Sequence, residues 1–263
     1  MTTQVWWGEY PFTVEQTRRW NFAGLDLQLK RNAQEWHVET YRHPHQNEDA
    51  HDWSISDTNL LLPEPSVLQR YIFNQTGDKI ILSPALADRS VVIKPIDPLF
   101  IPANQAVTLF VSTPVWMRVS TTQAVDKPLI DIPIIRPTDT WFGSSPIRGE
   151  ICYATKVFGR IELAQLPIRA FRAVTPVYIE NHGSQTMPIE RINIPTALLP
   201  LYSATDGRLW TPTLAVELTN NGRAPKLRID NRLHSQAGVA TLQSTARVAN
   251  PDNFVGLFEH FFD

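Results

Sequence analysis

Apolar and polar residues alternate with a period of two along most of this chain, most clearly between Arg89 and Ser120. There Val91 and Ile93, then Leu99 and Ile101, then Val107, Leu109 and Val111 recur at every second position. Pro102-Ala103-Asn104 and Pro114 punctuate the run. A period of two places successive side chains on opposite faces of an extended backbone, so the stretch predicts half-buried strands joined by a short turn. A looser version of the same grammar returns from Val174 to Ser203, with Asn181-His182-Gly183 at its turn.

The rest of the chain reads in the same way. Arg18 to Tyr41 predicts a hairpin. Trp20, Phe22, Leu25, Leu27 and Leu29 make its apolar face, with an irregularity at Gly24, and Lys30 to Gln34 make its turn. Trp6, Trp7 and Tyr10 predict an arm packed on the first sheet. Ile130, Ile132 and Ile134 alternate around Pro133. A proline there marks an edge strand, because it offers no ladder donor. Two further strands are expected within 150–164 and 166–180. Leu214, Val216 and Leu218 precede Asn220-Asn221-Gly222, a hairpin signal resting on residues that accept positive φ cheaply. Two segments are ambiguous: 57–72 reads as a first helix or only a turn, and 231–250 as a strand or a short helix.

The period changes only at the C-terminal end. Phe254, Leu257, Phe258, Phe261 and Phe262 fall at i, i+3, i+4, i+7 and i+8, one face of a helix, after Pro251 and Asp252 as a start signal. The Gly/Ser/Pro-rich run at 138–149 is the expected connection between two halves. The reading is therefore an all-β chain of two packed antiparallel β-sandwich halves, Greek-key-like, with a short C-terminal helix. Residues 1–137 make the first half, 138–149 the connecting loop, 150–250 the second half and 251–263 the amphipathic helix.

Composition narrows the function classes. Apolar residues at 43% against charged residues at 19% support a packed core rather than disorder. A net charge of -2 gives no electrostatic reason to expect nucleic acid as partner. The single cysteine, Cys152, excludes an intramolecular disulfide and a multi-cysteine zinc site. No uninterrupted apolar run approaches a membrane span, and MTTQVWWGEY lacks the pattern of a secretion signal, so a cytoplasmic protein without direct membrane insertion is expected.

Candidate chemistry is sparse. His43, His45 and His51 lie with Glu48, Asp49 and Asp52 in one polar loop, an imidazole and carboxylate set of the kind that holds zinc, iron, manganese or nickel. Pro44 separates the first two histidines, and the downstream histidine of a metal-binding small barrel is missing, so a solvated loop is the plainer reading. Cys152 sits inside an apparent strand between Ile151 and Tyr153, which predicts core packing rather than a nucleophile. The chain has no serine-nucleophile elbow, phosphate-binding loop, dinucleotide fingerprint or zinc-protease motif. Trp116, Trp141 and Trp210 are candidates for sugar stacking, or for bulky core.

The run Trp141-Phe142-Gly143, then Pro146, Gly149, Ile151 and Tyr153, resembles the pattern of an uncharacterised prokaryotic family catalogued as a domain of unknown function and described mainly in archaea. The resemblance implies no activity, cofactor or catalytic residue. The association of some members with small mechanosensitive-channel proteins implies a regulatory role beside a membrane channel.

The expected function is thus a non-catalytic protein-binding or regulatory β module without a cofactor. Its partner would be another protein or a second copy, and Phe254, Leu257, Phe258, Phe261 and Phe262 are the candidate contact residues. The competing reading is a metal-dependent or carbohydrate-active enzyme, or a sugar-binding module.

Overall fold

A computed structural model describes residues 5–22, 24–45, 52–125, 127–143, 147–218, 226–230 and 232–248. The strands in chain order are β1 (Gly8–Pro11), β2 (Thr17–Phe22), β3 (Leu25–Arg31), β4 (Glu35–Arg42), β5 (Trp53–Asp57), β6 (Val67–Ile72), β7 (Lys79–Ala85), β8 (Val91–Pro95), β9 (Leu99–Ile101), β10 (Gln105–Pro114) and β11 (Trp116–Thr121). They continue with β12 (Ile130–Pro133), β13 (Thr138–Phe142), β14 (Glu150–Val157), β15 (Arg172–Asn181), β16 (Met187–Ile189), β17 (Ile192–Ile194), β18 (Leu201–Ala204), β19 (Leu209–Trp210), β20 (Leu214–Leu218), β21 (Lys226–Ile229) and β22 (Ala240–Ser244). The other regular elements among the described residues are single 3-10 turns at Leu163–Gln165, Thr196–Leu198 and Ser235–Ala237. The fold is all-β, as the alternation predicts, and residues 251–263, where the C-terminal helix is expected, lie outside the described residues.

The chain forms two units, but not as consecutive halves. The first comprises Met1–Ala85, Val115–Arg136 and Arg169–Phe171, and the second Leu86–Pro114, Pro137–Ile168 and Arg172–Asp263. The expected connection at 138–149 is partly strand: β13 pairs with β14 along Thr138↔Ala154 to Phe142↔Glu150. The Gly/Ser/Pro signal marks the turn of this local hairpin rather than a boundary between halves.

In the first unit a five-stranded antiparallel sheet has the order β5-β2-β3-β4-β6, and a four-stranded one the order β1-β7-β11-β12. The irregularity at Gly24 is a chain reversal, with Phe22 paired to Leu25. The apolar set changes from even to odd positions there, as it must when two paired residues share one face across a two-residue turn. Trp20, Phe22, Leu25, Leu27, Leu29, Trp36 and Val38 are all buried. Edge-to-face pairs link Phe12 to Trp36 at 5.1 Å, Trp6 to Phe22 at 5.6 Å and Phe22 to Phe171 at 5.8 Å. Such pairs contribute about 0.5–1.5 kcal/mol each beyond their buried area. The Trp6 indole also donates to the Ala170 carbonyl at 2.9 Å, so the N-terminal aromatics belong to the core. β12 is a sheet edge, as Pro133 predicts. The 57–72 segment, read as a first helix or only a turn, holds strand β6, since Pro63 and Pro65 leave too short a run for helical turns.

In the second unit the two stretches that share one grammar prove to be each other's partners. β8 pairs antiparallel with β17, β9 with β16 and β10 with β15. They run as one long ribbon, bent at Pro102–Asn104 on one arm and at His182–Thr186 on the other. The Asn193–Val92 and Ala106–Glu180 pairs lie on either side of the bend. β10 and β15 pair over ten residues each, and β15 is buried along nearly its whole length. β15 also takes β19 and then β20 in parallel on its other edge, and β14 pairs parallel with β8. The all-β, largely antiparallel reading holds, and these three pairings add parallel neighbours to it. A strand buried on both faces accepts parallel neighbours without exposing apolar surface.

Pro176, in the middle of β15, lacks a ladder donor. Its partner Phe110 exchanges both backbone hydrogen bonds with Arg160 instead, at 2.7 and 3.2 Å. Pro176 therefore faces away from β10, toward the gap between the end of β19 and the start of β20. The proline sits where no neighbour needs its N–H.

Candidate functional site

At the bend of that ribbon the second unit has an open apolar cavity of about 460 Å³. Its walls come from β9 and β10. Leu99 and Ile101 project from one strand, Gln105, Val107 and Leu109 from the other, and Phe100, Pro102 and Ile161 complete the lining. The odd-numbered residues of both strands face the same way because each strand has a period of two and the turn between them is short. Phe100 is 63% exposed and Ile161 69%. Exposed apolar residues occur near the same mouth. Ile96 is tied by its N–H to the Val157 carbonyl at 3.1 Å, and Phe158 lies 4.5 Å beneath the Arg160 guanidinium. Single exposed apolar side chains are ordinary, but several around one concavity mark an interaction site. Among the described residues the lining has no acid, base or nucleophile. Gln105 is the one polar side chain in a lining otherwise made of Leu, Ile, Val, Phe and Pro.

Asn181 holds the rim. Its Nδ2 donates toward the carbonyls of Ile101 at 2.9 Å, Pro102 at 3.1 Å and Gln185 at 2.8 Å, and its Oδ1 accepts from the Gly183 N–H at 2.9 Å. Its own carbonyl accepts from the Asn104 N–H at 2.8 Å, and Asn104 has φ of 58°, a turn geometry that Asn tolerates. One buried amide thus ties the β9–β10 turn to the β15–β16 turn.

The candidates from the sequence are dispersed. His43 follows β4, and its Nε2 lies 3.3 Å from Asp26 Oδ2, while Asn21 Nδ2 donates to the other oxygen at 2.5 Å. Asp26 is buried on β3, and nothing in the sequence pattern links it to His43. His45 and Asp52 are exposed, and Glu48, Asp49 and His51 lie outside the described residues. Among the described residues no three His, Cys, Asp or Glu side chains come close enough to share a metal ion. Cys152 is buried against Val92 and Phe142. Burial, with the neighbouring Glu150 adding to it, pushes its thiol up to about 12, so at neutral pH it stays protonated. Trp116 and Trp210 are buried and present no stacking face, whereas Trp141 is exposed. Phe254, Leu257, Phe258, Phe261 and Phe262 lie outside the described residues.

One charged cluster on the first unit has a resolved electrostatic signature. Glu35 accepts from Arg70 Nη2 at 2.6 Å and contacts His37 Nε2 at 2.8 Å. The Arg70 hydrogen bonds first, then His37, hold its carboxyl down at about 2. A depressed carboxylate contributes stability that is complete above its unfolded value and drains away as pH falls through its folded one. For Glu35 that window runs from the ordinary carboxylate range down to about pH 2. In Arg70→Ala the Glu35 titration followed by side-chain carbonyl NMR is expected to move up toward about 4.3, the free-peptide value. An unchanged midpoint would mean that Arg70 is not the cause.

The sequence contains the wall residues in its most regular stretch, yet marks them only as strand positions. Leu99-Phe100-Ile101 makes β9 apolar on both faces, but Val91-Val92-Ile93 and Leu109-Phe110-Val111 in the same stretch read alike, so it does not single out the wall.

A family model described as Protein of unknown function (DUF432) matches residues 6–261. No curated protein and no solved structure matches the chain.

Proposed function

Because the chain belongs to that family, whose description carries no activity, we propose from the geometry of the second unit that this protein is a non-catalytic binding module. Its cavity at the β9–β10 bend takes aromatic or aliphatic side chains of another protein. The observation that supports this reading is the cavity itself: about 460 Å³, open, walled by Leu, Ile, Val, Phe and Pro, and flanked by exposed Phe158 and Ile96. A volume of this order accommodates a few large side chains, and burying each fully yields roughly 1.5–3 kcal/mol. The regulatory role beside a channel, implied by the resemblance, would need such a docking surface.

A photoreactive phenylalanine at position 100 tests the proposal in the native host. The expected result is a covalent adduct with one discrete protein, reduced about tenfold when Ile161 is also changed to Asp. Adducts no different from those of the same probe at exposed Val14, in the first unit, would refute it.

A further inference from the structure

The cavity is open and apolar, and the chain has an apolar segment outside the described residues. We propose that residues 251–263, PDNFVGLFEHFFD, occupy the cavity in cis and that a protein partner must displace them. The inference rests on the binding-module reading and adds the regulation of the same site.

Two independent features support the assignment. The first is reach. The last described residues are anchored on the second unit, with Val248 N–H on the Ala197 carbonyl at 3.0 Å and Arg247 Nε on the Leu86 carbonyl at 2.8 Å. From Ala197 the ladder leads back to Ile194, across to Val91, and along β8 to Leu99 at the cavity wall. That path is eleven residues of chain and one interstrand step, at most about 41 Å when fully extended. The fifteen residues after Val248 span up to about 50 Å. Fully extended, the tail is long enough to place Phe261 or Phe262 at the wall even over that longest path.

The second is chemistry. The segment has four phenylalanines, a leucine and a valine for an apolar cavity, and its charged groups are Asp252, Glu259 and Asp263, with no lysine or arginine. On the body, Lys94 and Lys156 are exposed and directly opposed across the β8–β14 pair, two residues before Ile96 and Phe158, and Arg160 lies over Phe158. Like charges facing each other in a sheet are unfavourable until an anionic group comes between them. Asp97 and Glu162, exposed and next in sequence to Ile96 and Ile161, are the acidic groups nearest in the chain to these positions.

The test uses the purified full chain with the photoreactive residue at position 100. The expected product is an intramolecular adduct, of monomer mass, mapping to 251–263. It falls about tenfold in the Phe258→Glu, Phe262→Glu chain and persists in the Phe258→Leu, Phe262→Leu chain, both checked for an unchanged melting transition. An adduct of dimer mass would assign the cavity to the tail of a second copy and overturn the cis arrangement. Absence of any adduct to 251–263, or one indifferent to the glutamates, would overturn the tail as occupant. The binding-module reading is judged separately in cells. There the Glu variant is expected to increase the partner adduct at position 100, and a partner adduct without any tail adduct would leave the module standing and the tail refuted.

Discussion

Replacing Asn181 with leucine is expected to destabilise the protein by about 2–4 kcal/mol, measured by urea or thermal unfolding. The change removes one amide that serves three carbonyls and one N–H on two turns. Leucine has a similar size, so the loss is of hydrogen bonds rather than volume. The penalty is the cost of leaving partly buried backbone groups unsatisfied, about 1–3 kcal/mol for each that water cannot reach. Asn181→Asp is the sharper variant. Its carboxylate would still accept from Gly183, but its second oxygen would face the carbonyls of Ile101, Pro102 and Gln185. Desolvation and repulsion raise that carboxyl's pKa in the folded state. A group raised on folding costs stability as pH climbs from its unfolded value toward its folded one. The aspartate variant should therefore lose stability between about pH 4 and neutrality relative to the leucine variant. Equal pH profiles for the two would show that the amide is exposed to water in solution. Photo-crosslinking from position 100 should weaken in both, because the turn that carries the cavity wall is no longer tied down.

The second large effect is expected at the glycine pair of the β13–β14 hairpin. A Cβ on Gly149 would lie 2.5 Å from the Phe142 carbonyl oxygen and 2.9 Å from Gly143 Cα, and one on Gly143 only 2.2 Å from the Arg148 carbonyl oxygen. These obstacles are backbone atoms, which cannot turn aside as a side chain can. Gly149→Ala must therefore open the end of the hairpin, at a cost of about 3 kcal/mol or more. β14 lies between β13 and β8 in its sheet, so the opening reaches the ribbon that carries the cavity. Gly77→Ala is the control: its nearest neighbour is a side-chain hydroxyl, Thr122 Oγ1, at 3.2 Å, which can move, and less than about 1 kcal/mol is expected. Similar losses in the two variants would remove the argument from close backbone approach. The glycines of the run Trp141 to Tyr153, by which the chain resembles its family, thus have a packing reason that requires no ligand.

How much of this was legible before the fold was known differs from one residue to the next. Trp20, Phe22, Leu25, Leu27 and Leu29 declare a buried face by themselves, but the reversal between Phe22 and Leu25 shows in the sequence only as an irregularity at Gly24. Pro133 announces an edge, and the edge is there. By contrast, the cavity residues Leu99, Ile101, Val107 and Leu109 look the same in sequence as any core-facing strand residues. Whether such a face is closed over or left open depends on what the remaining sheets cover. Asp26 and His43 likewise meet because neighbouring strands bring them together, with no shared motif between them.

Side-chain polarity along this chain determined by itself that it would be built of short strands with one dry face, and where most of them would turn. That information is local, because it is the side-chain period of an extended backbone. Which strand lies beside which, that 91–114 and 172–194 are two arms of one bent ribbon, and that the bend leaves apolar residues exposed were decided only by the tertiary structure. Backbone N–H and C=O groups are nearly the same at every residue, so ladder pairing is chosen by the packing of the whole chain rather than by any one stretch of it.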